Sequence, residues 1–158
     1  MDLAELRQSY TKHSFSKADL LACPFEQFKK WFTEAQQVGI DEPNAMCLAS
    51  ASTDGQPSTR TVLLKGITAG GLVFYTNYES RKAGELLATG KAAFCLHWKS
   101  LRRQIRVTGE VSKASPERSD DYFASRGRGS RIGAWASEQS RPLESREALA
   151  KAVAEVEE

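Results

Sequence analysis

Ser80, Arg81 and Lys82 are adjacent and of the types that hold anions. They open the stretch SRKAGELLATG at 80–90, which reads as a short helix with Ser80 as N-cap and Gly90 as stop. Two cations in a first turn oppose the helix dipole, which favours Asp or Glu there. Free backbone N–H groups, a hydroxyl and two positive side chains together make an anion site, most naturally for a phosphate. The plain alternative is that both side chains point into water at a small dipole cost. Arg60 and Lys65 lie five apart on an extended segment and therefore on opposite faces. Arg60 shares its face with Val62 and Leu64, where an unpaired charge is costly. It needs an anionic partner, from the protein or a ligand, unless an edge strand leaves its head solvated. Arg126, Arg128, Ser130 and Arg131 crowd RGRGSR at 126–131, just after Tyr122. Such a loop can wrap a phosphate, serve as a mobile tip or touch nucleic acid. His97 shares a strand face with Cys95, but two ligands without a third favour a satisfied core histidine over a metal site.

No GxSxG, HExxH, Walker loop or GxGxxG occurs, which leaves hydrolase, metalloprotease and Rossmann oxidoreductase readings without support. The chain is 158 residues long, with 41% apolar and 27% charged residues, as in a globular domain. The net charge of +2 hides an asymmetry. From Arg60 to Arg131 there are 14 Lys/Arg against 6 Asp/Glu, a net of +8, while the remainder carries −6. A basic middle between acidic ends points to an anionic partner, either a phosphorylated small molecule or nucleic acid. No apolar run approaches the ~20 residues that span a bilayer, and MDLAELRQSYTKHS has no apolar signal-peptide core. Cys23, Cys47 and Cys95 are far apart with no CxxC, so reduced thiols in a cytoplasmic protein are expected.

The elements that must position these residues follow from spacing and turn chemistry. PFEQFKKWFTEAQQ at 24–37 sets Phe25, Phe28, Phe32 and Ala35 on one helical side, with Pro24 first and Gly39 as a stop. NAMCLASA at 44–51 predicts a buried strand, TDGQP at 53–57 a turn, and STRTVLLKG a second strand in a hairpin. A third strand is predicted over LVFYTN at 72–77, a fourth over KAAFCLHW at 91–98 and a fifth over 103–114. Ser115 and Pro116 start a helix that runs to about Ser125, the basic loop follows, IGAWASEQS continues as a helical turn, and 143–158 is a charged helix. Five strands with short turns and only one intervening helix favour an antiparallel barrel with flanking helices over a doubly wound sheet.

RTVLLK (60–65), FYTNYESRK (74–82), RRQIRVTGEV (102–111), YFASR (122–126) and SRIGAWASEQS (130–140) occur in unbroken order. Together with RQSY at 7–10, they resemble the pyridoxine/pyridoxamine 5′-phosphate oxidase family. The resemblance implies a mainly β fold, the flavin mononucleotide (FMN) binding split β-barrel, antiparallel and Greek-key-like with flanking helices. It implies one domain over 1–158, with a lid segment and helix at 1–42, barrel strands at 43–114 and a helical part at 115–158. It further implies a homodimer that binds FMN at the subunit interface. The reaction is oxidation of pyridoxine or pyridoxamine 5′-phosphate to pyridoxal 5′-phosphate, with O2 as acceptor and hydrogen peroxide as by-product. By motif, Arg60, Thr61, Val62, Leu63, Leu64 and Lys65 form the flavin-binding strand, with Lys65 also reaching the substrate phosphate. Tyr75 and Thr76 contact the flavin, Arg81 and Lys82 hold its phosphate, Gln104 bonds its ring, and Gln139 with Ser140 reaches it from the neighbouring subunit. Tyr122, Arg126 and Ser130 clamp the substrate phosphate, while Arg7 and Tyr10 form a lid.

Two residues depart from the family pattern: Gly127 stands where proline is common, and Arg131 where glutamine is usual. The resemblance also implies a further segment beyond Glu158, with a tryptophan-bearing strand and an Arg-Leu-His run. The catalytic arginine and histidine are expected in that segment, so none is assigned within 1–158. The competing expectation is a non-catalytic FMN or pyridoxal-phosphate binding protein on the same barrel. An RNA-binding barrel, drawing on Arg102, Arg103, Arg126, Arg128 and Arg131, lacks clustered aromatics for base stacking, so neither a nucleic acid nor a membrane is expected as partner.

Overall fold

The computed structural model describes Glu5, residues 15–68 and residues 70–157. The expected lid residues Arg7 and Tyr10 lie outside the described residues. So does Glu158, the residue after which the catalytic groups are expected, and the 143–158 helix is described only as far as Glu157. The chain divides into two compact units, residues 1–39 and 40–158.

The first unit holds helix α1 (Pro24–Gln37). Pro24 occupies its first turn, where a missing N–H costs nothing, and Gly39 takes φ +70° just past its end. Phe28 and Ala35 are buried as their spacing predicts, whereas Phe25, in the first turn, is exposed. Phe28 meets Phe32 edge-on at 6.1 Å, Phe15 lies 5.5 Å from Trp31, and Gln27 Oε1 accepts the Leu21 N–H at 2.8 Å.

The second unit is built on five strands: β1 (Ala45–Ala51), β2 (Pro57–Thr68), β3 (Gly71–Phe74), β4 (Lys91–Trp98) and β5 (Arg103–Glu110). They form one curled antiparallel sheet in the order β3-β2-β1-β4-β5, the expected half-barrel. The β1–β2 hairpin pairs Ala45 with Leu63 through Ala51 with Pro57, and its turn is closed by Gly55 N–H on Ser52 O at 2.9 Å. Gly55 has φ +88°, which only glycine adopts without strain. Alternation then sorts the side chains. Met46, Leu48 and Ser50 of β1 face inward with Arg60, Val62 and Leu64 of β2, while Cys47, Thr61 and Lys65 face outward. The inward face, with Leu96 and Trp98 of β4, packs under helix α2 (Arg81–Thr89) through its buried Ala83 and Leu86. Trp98 Nε1 donates to Pro43 O at 2.9 Å, which satisfies the buried indole. The α2 stop is as expected: Gly90 takes φ +67° and its N–H closes on Leu86 O.

Three expectations are corrected. The third strand ends at Phe74, so Tyr75 and Thr76 lie beyond the ladder in an irregular segment leading to α2. The fifth ends at Glu110 rather than 114. Residues 126–131 are not a loop. Helix α3 (Pro116–Ser125), capped by Ser115 Oγ accepting the Arg118 N–H, is followed almost at once by helix α4 (Arg128–Ala136). Gly127 is the α4 N-cap, and its carbonyl accepts from Ser130 and Arg131. Burial of Ile132 and packing on helix α5 (Arg146–Glu157), with Arg128 bonded to Glu157 at 3.3 Å, override the local glycines.

Leu48→Ala, at a fully buried inward position, should cost about 2–5 kcal/mol of stability. Cys47→Ala, on the exposed outward side of the same strand, costs under about 0.5 kcal/mol. Urea unfolding of both variants checks this; a one-residue slip would reverse the two.

Candidate functional site

A buried carboxylate organises the site. Glu85 on α2 is 6% exposed and accepts hydrogen bonds from Ser50 Oγ and Ser58 Oγ at 2.6 Å each. Both hydroxyls in turn accept from Arg60, whose Nη1 reaches Ser50 at 2.5 Å and whose Nη2 reaches Ser58 at 2.6 Å. Arg60 Nη2 also stands 3.4 Å from Glu85, and Arg81 Nε closes the other carboxylate oxygen at 2.8 Å. The anionic partner that Arg60 requires thus comes from the protein. The serine bonds, with help from Arg81, lower the Glu85 carboxyl from 4.5 to about 2 against the opposing effect of burial.

Lys82 lies three residues before Glu85 on the same helix and has a different set of partners. Its Nζ donates to Thr76 Oγ1 at 3.0 Å, Ser80 Oγ at 3.3 Å and Gln139 Oε1 at 2.7 Å. All three acceptors are neutral, and burial, followed by the positive charge of Arg60, holds the ammonium below its usual value. Ser80 is almost wholly buried and donates to Asn77 O at 2.7 Å, while Asn77 Oδ1 accepts the Glu79 N–H. This turn fixes the start of α2 and with it the lysine. A cation held by neutral oxygens at a helix N-terminus is suited to a phosphate.

Lys82 opens into a groove of about 1400 Å³. Its floor includes Arg60 to Leu63 and Lys65 of β2, and its walls carry Tyr75, Thr76, Tyr122, Arg126, Ser130 and Gln139. Lys65 is the extra residue of a bulge, since Leu64 pairs with Phe74 and Gly66 with Val73, and a bulge re-aims the side chain it carries. Tyr75 and Tyr122 stack face to face, 3.8 Å between centroids and 4° from parallel. Arg126 lies over the Phe123 ring at 5.8 Å, and Phe123 meets the largely exposed Trp135 edge-on. Six cations line the groove against two carboxylates, Glu110 and Asp120. The site can hold phosphorylated, planar molecules.

Most of the expected site residues therefore meet in one groove, and a few do not. Gln139, expected to reach the flavin from the neighbouring subunit, lines the groove of its own chain and bonds Lys82 there. Leu64 faces inward and is buried in the core. Arg81 turns back to Glu85 instead of entering the groove. Gln104 is exposed on the edge strand β5 opposite His97 and does not line the groove, and neither does Ser140, a non-glycine residue at φ +71°. The residues reasoning from sequence missed are Glu85, Ser50 and Ser58. Their signal was present: two serines at inward strand positions, and a glutamate beside the apolar Ala83 and Leu86 of an amphipathic helix. Cys95 and His97 do share a face, but His97 is exposed rather than the core histidine expected, and no metal-holding group of three ligands occurs among the described residues.

The sequence profile of the pyridoxamine 5′-phosphate oxidase family matches residues 32–158. A pyridoxine/pyridoxamine 5′-phosphate oxidase of Rhizobium meliloti is 60% identical over 132 residues, 84% of this chain and 64% of that protein. One from Rubrobacter xylanophilus is 51% identical over 99% of this chain and 72% of its own length. The chain thus spans about two thirds of these curated relatives. Among solved structures, PhzG from Burkholderia lata, in complex with tetrahydrophenazine-1-carboxylic acid, superposes with a TM-score of 0.84 at 32% identity. That match covers 88% of this chain and 69% of that one. A pyridoxamine 5′-phosphate oxidase-related, FMN binding protein from Nostoc punctiforme has a TM-score of 0.64 at 17% identity and shares the fold, over 83% of this chain and 73% of its own. No described helix is long and apolar enough to cross a membrane.

Because folding lowers the Glu85 value, its contribution to stability is full above pH 4.5 and is lost as pH falls towards about 2. Glu85→Gln should lower the melting temperature at neutral pH and flatten its decline between pH 4.5 and 2. The other depressed carboxylates titrate in both proteins, so the difference between the two curves belongs to Glu85. Parallel curves would refute the assignment.

Proposed function

This chain belongs to the pyridoxamine 5′-phosphate oxidase family, and from that premise we propose that it acts as an FMN-dependent oxidase of phosphorylated B6 vitamers. The reaction converts pyridoxine or pyridoxamine 5′-phosphate to pyridoxal 5′-phosphate, with O2 as electron acceptor and hydrogen peroxide as product; for the amine, water supplies the aldehyde oxygen and ammonia leaves. The observation that carries the reading is the single cationic groove. Into it open both the α2 start with Lys82 and the set Lys65, Tyr122, Arg126 and Ser130. Two phosphate-bearing molecules, cofactor and substrate, account for two such sets. FMN, when bound, supplies the two-electron acceptor.

The chain's own residues bind and orient. Lys82 would hold the cofactor phosphate, for which the neutral oxygens of Thr76, Ser80 and Gln139 are weaker partners than an anion. Arg81, paired with Glu85, contributes by fixing the helix rather than by pointing at the phosphate. Thr61, Val62, Leu63 and Tyr75, which line the groove, would contact the flavin, and Lys65, Tyr122, Arg126 and Ser130 would take the substrate phosphate. Gln104, away from the groove of its own chain, fits a homodimer in which it reaches the cofactor of the other subunit. A cytoplasmic setting agrees with the free thiols of Cys23, Cys47 and Cys95.

Lys82→Ala should weaken FMN binding about tenfold or more while leaving riboflavin binding nearly unchanged, as expected for the loss of one charge-assisted contact of roughly 1.5–3 kcal/mol. Fluorescence titrations with both ligands measure this, and equal losses would move the phosphate elsewhere. The vitamer reading is tested by peroxide release on adding pyridoxamine 5′-phosphate to the flavin-loaded protein; binding without peroxide would leave a binding protein, not an oxidase. If the dimer is as proposed, Gln104→Ala reduces flavin affinity without changing the mass seen by sedimentation. Unchanged affinity would remove Gln104 from the site.

A further inference from the structure

Arg118 lines the same groove, yet no family motif singles it out. It precedes Tyr122 by one helical turn on α3, so the two share a face. Its Nη2 lies only 3.2 Å from the place a Cβ on Gly66 would occupy, which sets the guanidinium against the β2 backbone directly after Lys65. Its carbonyl accepts the Tyr75 hydroxyl at 3.4 Å, which ties its turn of helix to the stacked tyrosines. Glu117, Asp120 and Asp121 are close in sequence, but the guanidinium makes no ion pair among the described residues. It is held over the bulge by packing, beside a lysine that likewise has no ion pair there.

We propose that Arg118 is a specificity-determining residue of the substrate subsite, a guanidinium that works with Lys65 and Arg126 to select a ligand with a terminal phosphate dianion. The proposal rests on the reading of the groove given above. Lys65 supplies a point charge, whereas a planar guanidinium offers two parallel donors to phosphate oxygens. A phosphate ester near neutral pH is mostly dianionic, and three cations lining one groove favour that form over a neutral hydroxymethyl group. The space over Gly66 is narrow: a Cβ there would make the guanidinium give by a few tenths of an ångström.

The test uses the full chain with saturating FMN, titrated with pyridoxal 5′-phosphate, pyridoxal and inorganic phosphate. Arg118→Gln should weaken pyridoxal 5′-phosphate and inorganic phosphate about tenfold and leave pyridoxal and FMN affinity unchanged, while Arg118→Lys recovers part of the loss. Parent-like phosphate binding by Arg118→Gln overturns the proposal. So does an equal loss for pyridoxal or FMN, which marks a structural effect through Tyr75. If the parent chain takes inorganic phosphate but not pyridoxal 5′-phosphate, the vitamer reading falls and the phosphate titrations alone still decide for or against Arg118. A parent chain that takes neither overturns both.

Discussion

The Glu85 carboxylate is the contact on which the geometry of the groove depends. It joins three elements that share no local sequence: β1 through Ser50, β2 through Ser58 and Arg60, and α2 through its own backbone and Arg81. A lone carboxylate at that depth would be expensive, and so would the inward-facing Arg60. Each removes the other's cost, and the two hydroxyls complete the circuit by accepting from the guanidinium and donating to the carboxylate. Because each member is the other's partner, the angle of α2 over the hairpin is tightly determined. Lys82, one turn from Glu85 but facing the groove, inherits that precision.

The cations at the start of α2 then divide the work. Their sequence neighbourhood suggests a matched pair aimed at one anion, but helix geometry separates them. Arg81 lies four residues before Glu85 and folds back along the helix, an arrangement that stabilises the element. Lys82, about 100° further round the helix, is held by oxygen atoms with no charge to give it. The unfavourable placement of positive charge against the helix dipole is therefore half cancelled inside the protein. The remaining half is left at the groove, where an anion can relieve it.

Much of this was legible in the chain. α1 begins and ends where Pro24 and the Gln37–Gly39 stretch say it should, and the β1–β2 hairpin follows from alternation around TDGQP. Those features are local, so spacing and turn chemistry reveal them. The failures share the opposite cause. RGRGSR reads as a loop because two glycines dominate it locally, yet contacts with α5 and burial of Ile132 make it the first turn of a helix. The β3 alternation continues through Tyr75, but pairing with β2 stops at Phe74. Glu85 was overlooked because its meaning lies in partners 27 and 35 residues away. Gln104 falls on the fifth strand as its sequence predicts, but only the strand order reveals that β5 is an edge strand, four strands along the sheet from β3.

The bulge at Lys65 shows how a small irregularity converts a structural strand into a binding one. Upstream, β2 alternates strictly, and Arg60 is committed to the interior network. Without the bulge, the same alternation would keep every second residue aimed at the core up to the turn. One extra residue shifts the register between Leu64 and Gly66, frees Lys65 from a cross-strand partner, and leaves a bare backbone at Gly66 over which Arg118 can lie. The same short segment thus ends the core, with Leu64 as its last buried side chain, and begins the cationic floor of the groove. A strand that must both seal a core and present charge to a ligand has to break its period somewhere, and in this chain the break falls between the two tasks.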